Sequence, residues 1–145
     1  MRKIRLVRVG LVRDAGRAKE RQSISRPADV VPLLADIASS DRENFACLHL
    51  DARNQVNALE VVSVGTLNAS LVHPREVLKA AILNNAAAVI LAHNHPSGDL
   101  TPSRDDLDLT DRMVKAGGIV GIEVLDHLIV GPGGTFRSLK EVGLM

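Results

Sequence analysis

An apolar run of six residues, Ala86-Ala87-Ala88-Val89-Ile90-Leu91, stops abruptly at Ala92-His93-Asn94-His95-Pro96-Ser97-Gly98-Asp99-Leu100-Thr101-Pro102-Ser103. Short, β-branched towards its end and cut off by polar residues, the run reads as a buried strand. Side chains alternate across a strand, so His93 and His95 leave it on one face. Pro96, Gly98 and Pro102 then turn the chain. Ser103 reads as the N-cap of a following helix, which puts Asp106 in its first turn. Two imidazoles at a strand end, with a carboxylate returned beside them, offer three ligands and an open fourth position. That is the layout of a catalytic zinc site rather than a structural one. Taken alone, Ser103-x-x-Asp106 is also a capping box, and a His-x-His pair is commonly incidental. The combination in two successive elements carries the metal reading.

At 145 residues and 46% hydrophobic content the chain suits one domain with a real core. It contains no apolar run long enough to span a bilayer, and Met1-Arg2-Lys3-Ile4-Arg5 leads into no signal-type apolar core. The single cysteine, Cys47, rules out an internal disulfide and sits in an apolar run, where it reads as core packing. Together these features predict a cytoplasmic protein with no membrane partner. Charge is lopsided: residues 1–26 hold nine Lys or Arg against two acids, and residues 27–145 hold nine against fifteen. A basic arm of this kind suits weak electrostatic contact with nucleic acid, or simply guards a strand edge. With Phe45 and Phe136 as the only aromatics, there is no platform for stacking bases, so such contact would be salt-sensitive.

Residues 1–26 read as a basic strand, Ile4 to Val12, followed by a polar arm, Asp14 to Arg26; residues 27–145 read as the domain proper. Pro27-Ala28-Asp29 opens a helix that ends at Ser39-Ser40-Asp41. Phe45–Leu50 and Val56–Val64 are strand-like, joined by a hairpin loop over Asp51–Asn54. After a connecting segment from Gly65 to Val72, Pro74 starts a second helix that stops near Asn84-Asn85. The helix from Ser103 is expected to run through Ala116 and break at Gly117-Gly118. Ile122–Val130 is another strand, Gly131–Gly134 a turn, and Thr135–Ser138 a last short strand. Hairpins mixed with crossover helices predict an α/β fold, a mixed twisted sheet flanked by helices.

His93-x-His95-Pro96, seven residues on Ser103, three further Asp106: this resembles the JAMM signature of the JAB/MPN metalloprotease family. The blocks Gly65-Thr66-Leu67-Asn68, Val72-His73-Pro74-Arg75-Glu76, His93 to Asp99, Thr101-Pro102-Ser103 and Leu125-Asp126-His127 look like its RadC branch, and agree in order over residues 27–145. The resemblance implies a JAB/MPN, cytidine-deaminase-like architecture. It also implies Zn²⁺ held by His93, His95 and Asp106, and hydrolysis of an amide bond in a peptide or protein. The family places a catalytic glutamate at the start of a strand after the first helix. Glu43 fits that place, with Glu60 and then Glu76 as alternatives. In such a reaction the Ser103 hydroxyl is expected to stabilise the oxyanion of the tetrahedral intermediate. Two features depart from the pattern. Asn94 stands where eukaryotic relatives usually have Ser or Thr. A basic strand and arm stand where longer RadC proteins carry a helix-hairpin-helix region, which weakens any inherited claim of DNA binding.

Three rival readings meet the same residues. A metal-dependent nuclease is suggested by His93-Asn94-His95, Asp126-His127 and the basic arm, but HNH-type enzymes place their Asp-His step upstream of the later metal histidine. A zinc deaminase needs His-x-Glu and Cys-x-x-Cys, which one cysteine cannot supply. A non-catalytic interaction module associated with DNA repair would be favoured by a missing ligand, and none is missing. Among the remaining polar residues, Asp126-His127 reads either as a support for a ligand imidazole or as a satisfied core pair. His73 and Arg75 read as cleft-lining or as a helix start, His49 as structural, and Asp99 as a turn residue.

Overall fold

Asp51 turns the central hairpin: its carboxylate accepts the backbone N–H groups of Arg53 and Gln55 at 2.8 and 3.1 Å, and Asn54 takes a left-handed φ of 58°. The structure, a computed structural model, describes residues 3–14, 22–65 and 72–145. The hairpin strands are β2 (Asn44–Leu50) and β3 (Gln55–Val64), and a two-residue β1 (Gln22–Ser23) pairs with the start of β3. A one-turn α1 (Ala35–Ala38) precedes the hairpin, and helix α2 (Pro74–Leu83) leads from it to β4 (Ala88–Asn94), which lies antiparallel to β2. Helix α3 (Arg104–Val120) crosses over to β5 (Glu123–Val130), parallel to β4, and β6 (Phe136–Ser138) closes the edge. The parallel pair is what demands a crossover helix of this length. Among the described residues six strands run β1-β3-β2-β4-β5-β6 in one mixed sheet.

Every residue of β2 and β4 is buried, because both sheet faces are covered. On one face Val30, Leu34 and Ile37 pack on Ala46, Leu48, Ile90 and Leu128. On the other, Val77, Leu78 and Ala81 of α2 and Met113 of α3 pack on Phe45, Cys47, Val89 and Leu91. The fold is therefore the expected α/β arrangement, a mixed sheet flanked by helices. Among the described residues no helix is long and apolar enough to cross a membrane.

Three local expectations are corrected. Ile4–Val12 forms no strand: residues 3–14 carry no regular structure, and Ile4, Leu6 and Val12 are 99–100% exposed. β-propensity describes fit to a pleated, half-buried surface, and here no such surface is offered. Of the polar arm that follows, Gln22–Ser23 joins the sheet, and residues 15–21 lie outside the described residues. Second, the helix from Pro27 is a 3-10 helix over Pro27–Leu34 with an α-turn over Ala35–Ala38. Pro32 removes a donor and disfavours α geometry at the residue before it. Third, α3 does not break at Gly117-Gly118 but continues to Val120 and ends at Gly121, whose φ is 80°. Gly117 is there for packing: a Cβ on it would sit 2.3 Å from the Ile122 carbonyl oxygen. Of the segment expected to connect β3 to α2, residues 66–71 lie outside the described residues.

Candidate metal centre

His93 is the penultimate residue of β4, opposite Phe45 on β2 and Ile129 on β5, and is fully buried. His95 lies just past the strand end, where the Pro96–Gly98 turn begins. Its Nδ1 donates to the Asp99 carbonyl at 2.7 Å, which stakes the ring to the turn. Asp99 keeps its turn role, accepting the Thr101 N–H at 2.9 Å. Asp106 is brought back by the capping box of α3: Ser103 Oγ accepts the Asp106 N–H at 3.0 Å, and the Ser103 N–H donates to Asp106 Oδ2 at 2.8 Å. The capping box and the ligand reading are thus one arrangement.

The three side chains meet. His93 Nε2 lies 3.2 Å from Asp106 Oδ2, His95 Nε2 lies 3.1 Å from the same oxygen, and the two Nε2 atoms are 3.1 Å apart. Ligand atoms about 2.0–2.1 Å from a tetrahedral cation are separated from one another by about 3.3 Å. Two imidazole nitrogens and one carboxylate oxygen at this spacing fit a divalent ion of the zinc type in both size and donor chemistry. Burial alone would raise the Asp106 pKa. The capping bond from the Ser103 N–H opposes this by favouring the charged carboxylate. Phe45 walls the inner side, its ring stacked at 15° to His93 and edge-on to His127 at 5.6 Å.

Glu43 precedes β2. The register that sets Phe45 opposite His93 places Glu43 across from His95 when carried two residues further. Asp41, Arg42, Glu43, Gly65 and Pro96 line a hollow of about 460 Å³ at this end of the sheet. The alternatives lie elsewhere. Glu60 is on β3 opposite Cys47, two strands from β4, with one buried oxygen unpartnered and its pKa raised by burial. Glu76 is on α2, ion-paired with Lys79 at 2.6 Å.

A family model described as RadC-like JAB domain matches residues 24–144. The chain belongs to this family. It is 54% identical over 129 residues to a UPF0758 protein of Desulforamulus reducens, an overlap covering 88% of this chain and 56% of the relative. It is 57% identical over 126 residues to one of Moorella thermoacetica, covering 86% and 55%. A third, from Rubrobacter xylanophilus, is 52% identical over 139 residues, covering 95% and 59%. The chain thus spans little more than half the length of these relatives.

The RadC-like JAB domain also separates residues that look alike in sequence. Asp126 and His127 point to opposite faces of β5. Asp126 accepts from the His127 N–H at 2.7 Å, Ser138 Oγ at 2.6 Å and the Lys140 N–H at 3.2 Å, so it ties β5 to the C-terminal turn. The His127 ring instead reaches the candidate ligands, 2.7 Å from His93 Nδ1. His73 is a helix cap, its Nδ1 accepting the Arg75 N–H at 3.0 Å. Cys47 is buried, and burial, with the Glu60 charge, pushes its thiol up to about 12, which makes it inert. His49 is buried beside Asn84 and far from the ligands along β2.

Two residues escape sequence reasoning. Asn94, between the histidines, points to the opposite side of β4. Its Oδ1 accepts the Asn44 N–H at 2.7 Å and its Nδ2 donates to the Arg42 carbonyl at 2.9 Å, so it straps down both neighbours of Glu43. The only sequence signal for this is the departure from Ser or Thr at that position. Thr110, one helical turn beyond Asp106, touches His127 at 2.6 Å and has no signal beyond its place on the buried face of α3.

Proposed function

We propose that this chain is a metal-dependent amide hydrolase, with zinc as its ion and a peptide or protein as its substrate. One observation carries the reading: the candidate ligand atoms of His93, His95 and Asp106 lie 3.1–3.2 Å from one another, at the end of the sheet where Glu43 lines a hollow. His93, His95 and Asp106 would hold the ion. When bound, zinc supplies Lewis acidity and brings the pKa of water towards neutrality. Glu43, at the rim, takes a proton from the attacking water and delivers it to the leaving amine. Ser103 Oγ accepts from the Asp106 N–H, so its own hydrogen remains to stabilise the oxyanion of a tetrahedral intermediate. Asn94 keeps the Glu43 segment in place against the end of β4. The JAB/MPN resemblance supports this chemistry and does not select among amide substrates.

The test pairs metal analysis with a peptide-library cleavage assay run beside a DNA-cleavage assay. The expected result is about one zinc per chain, peptide cleavage abolished by chelation, and no DNA cleavage. Glu43→Gln should retain zinc and lose cleavage by roughly 100-fold or more, the scale of a removed general base. Undiminished cleavage by Glu43→Gln would refute the base assignment, and DNA cleavage dependent on His93 would replace the hydrolase class with a nuclease.

A further inference from the structure

We infer that Thr110 and His127 are positioning residues: a one-way relay of hydrogen bonds from the Asp106 carbonyl through both of them holds His93 in the tautomer whose Nε2 lone pair faces the metal position. The inference rests on the metal-centre reading above and concerns what prepares that centre.

The direction of the relay follows from which atoms have hydrogens. A carbonyl oxygen only accepts, and Thr110 Oγ1 lies 2.7 Å from that of Asp106, so the threonine commits its one hydroxyl hydrogen there. The same Oγ1 lies 2.6 Å from His127 Nδ1 and has no hydrogen left to give, so Nδ1 must donate. The His127 ring is fully buried, and its hydrogen-bond partners are a hydroxyl and an imidazole, with no carboxylate among them. A charged ring would be a buried cation without a counter-charge in contact, so it is neutral and its Nε2 accepts. His93 Nδ1, 2.7 Å away, is the donor to it. The hydrogen of neutral His93 is therefore on Nδ1, and the lone pair is on Nε2, where it converges with His95 Nε2 and Asp106 Oδ2.

The reversed relay is worse at both ends. It would press two oxygens together at 2.7 Å with no hydrogen between them. It would also put a hydrogen on His93 Nε2, at the point where the ligand atoms meet. His95 is set by the same logic in a single step, its Nδ1 donating to the Asp99 carbonyl. Each imidazole is thus aimed by a carbonyl, one directly and one through two side chains. Because the relay's carbonyl belongs to Asp106, the third ligand and the first are adjusted together by one turn of α3.

The experiment compares the full chain with Thr110→Val, Thr110→Ser, His127→Leu and His127→Gln. Zn²⁺ affinity is read by competition with a chromophoric chelator, the visible spectrum of the Co²⁺ form is recorded, and long-range ¹H–¹⁵N NMR of the metal-free protein reports the His93 tautomer. Thr110→Val and His127→Leu should weaken zinc binding by roughly 10- to 100-fold, the usual effect of removing a partner behind a ligand, and should change the Co²⁺ spectrum. Thr110→Ser keeps the hydroxyl, and a glutamine at 127 can donate to Thr110 and accept from His93, so both should recover most of the affinity. Metal-free wild type should show His93 protonated at Nδ1. A His93 protonated at Nε2, or a Thr110→Val protein that binds zinc as tightly as wild type, overturns the relay. Should His127→Leu fail to fold, the threonine pair and the wild-type spectrum still decide. Should wild type bind no zinc, the metal-centre reading falls, while the tautomer measurement continues to judge the relay separately.

Discussion

Ile4–Val12 and β4 are both short runs of apolar, partly β-branched residues, and they end in opposite states. The first lies exposed, with Ile4 and Leu6 almost fully accessible to water. The second is the innermost strand of the site, bonded to β2 on one side and β5 on the other and buried throughout. A strand is stabilised by what pairs with it and what covers it, and composition supplies neither. The difference also explains where chemistry can sit. A candidate ligand such as His93 is held to a fixed geometry by an element paired on both sides and covered on both faces, which β4 is and Ile4–Val12 is not.

The sharpest way to break this comparison is at the ligands. Asp106→Ala or His95→Ala should lower zinc affinity by more than roughly 100-fold in a chelator competition, beyond what loss of a supporting residue causes. Changes in the arm should leave affinity alone. Next in size is packing. Leu91→Ala, in the fully buried β4, should cost about 2–5 kcal/mol in urea denaturation. Leu6→Ala, in the exposed arm, should stay within about 0.5 kcal/mol. Equal costs would mean that the arm is packed in solution.

A third prediction concerns pH. Burial lowers the His49 pKa on β2 from 6.5 to about 4. As pH falls below 6.5 the unfolded chain takes up a proton that folded His49 refuses until about pH 4. Stability therefore drops across that window, by an amount on the order of 3 kcal/mol, and is retained above it. Denaturation midpoints from pH 7 to 4 should show the slope in wild type, and His49→Gln should reduce it, leaving the share of buried His127, whose pKa is also held down by burial. Gly117→Ala should then cost about 1–3 kcal/mol, because its Cβ would press on the Ile122 carbonyl where α3 meets β5. The smallest effect is expected from deleting residues 1–12: unchanged zinc affinity and a midpoint within error of wild type, with any polyanion binding reduced and salt-sensitive.

Much of the site could be read early because its assembly is local. His93 and His95 are two residues apart at a strand end, the Pro/Gly turn is short, and Ser103 caps the helix that holds Asp106 through bonds spanning three residues. Such features leave marks in any window of sequence. Gly117 misled because a helix-breaking residue and a close-packing one are the same letter; only the carbonyl of Ile122 distinguishes them. Pro32 stands in the sequence, but the apolar spacing of Val30, Leu34 and Ile37 marks a buried helical face without fixing whether the turns are α or 3-10.

What the amino-acid order determined by itself was therefore most elements of the domain proper and the three candidate ligands, through periodicity, turn chemistry and capping, all of which act within a few residues. Tertiary structure alone decided that Asp126 serves the C-terminal turn while His127 contacts the candidate ligand His93, that Asn94 straps the Glu43 segment, and that Ile4–Val12 stays outside the sheet. These outcomes depend on hydrogen bonds spanning 34 residues between His93 and His127 and 50 between Asn44 and Asn94. Bonds over such separations arise only when the sheet register brings the partners together, and nothing in the intervening chain encodes their direction.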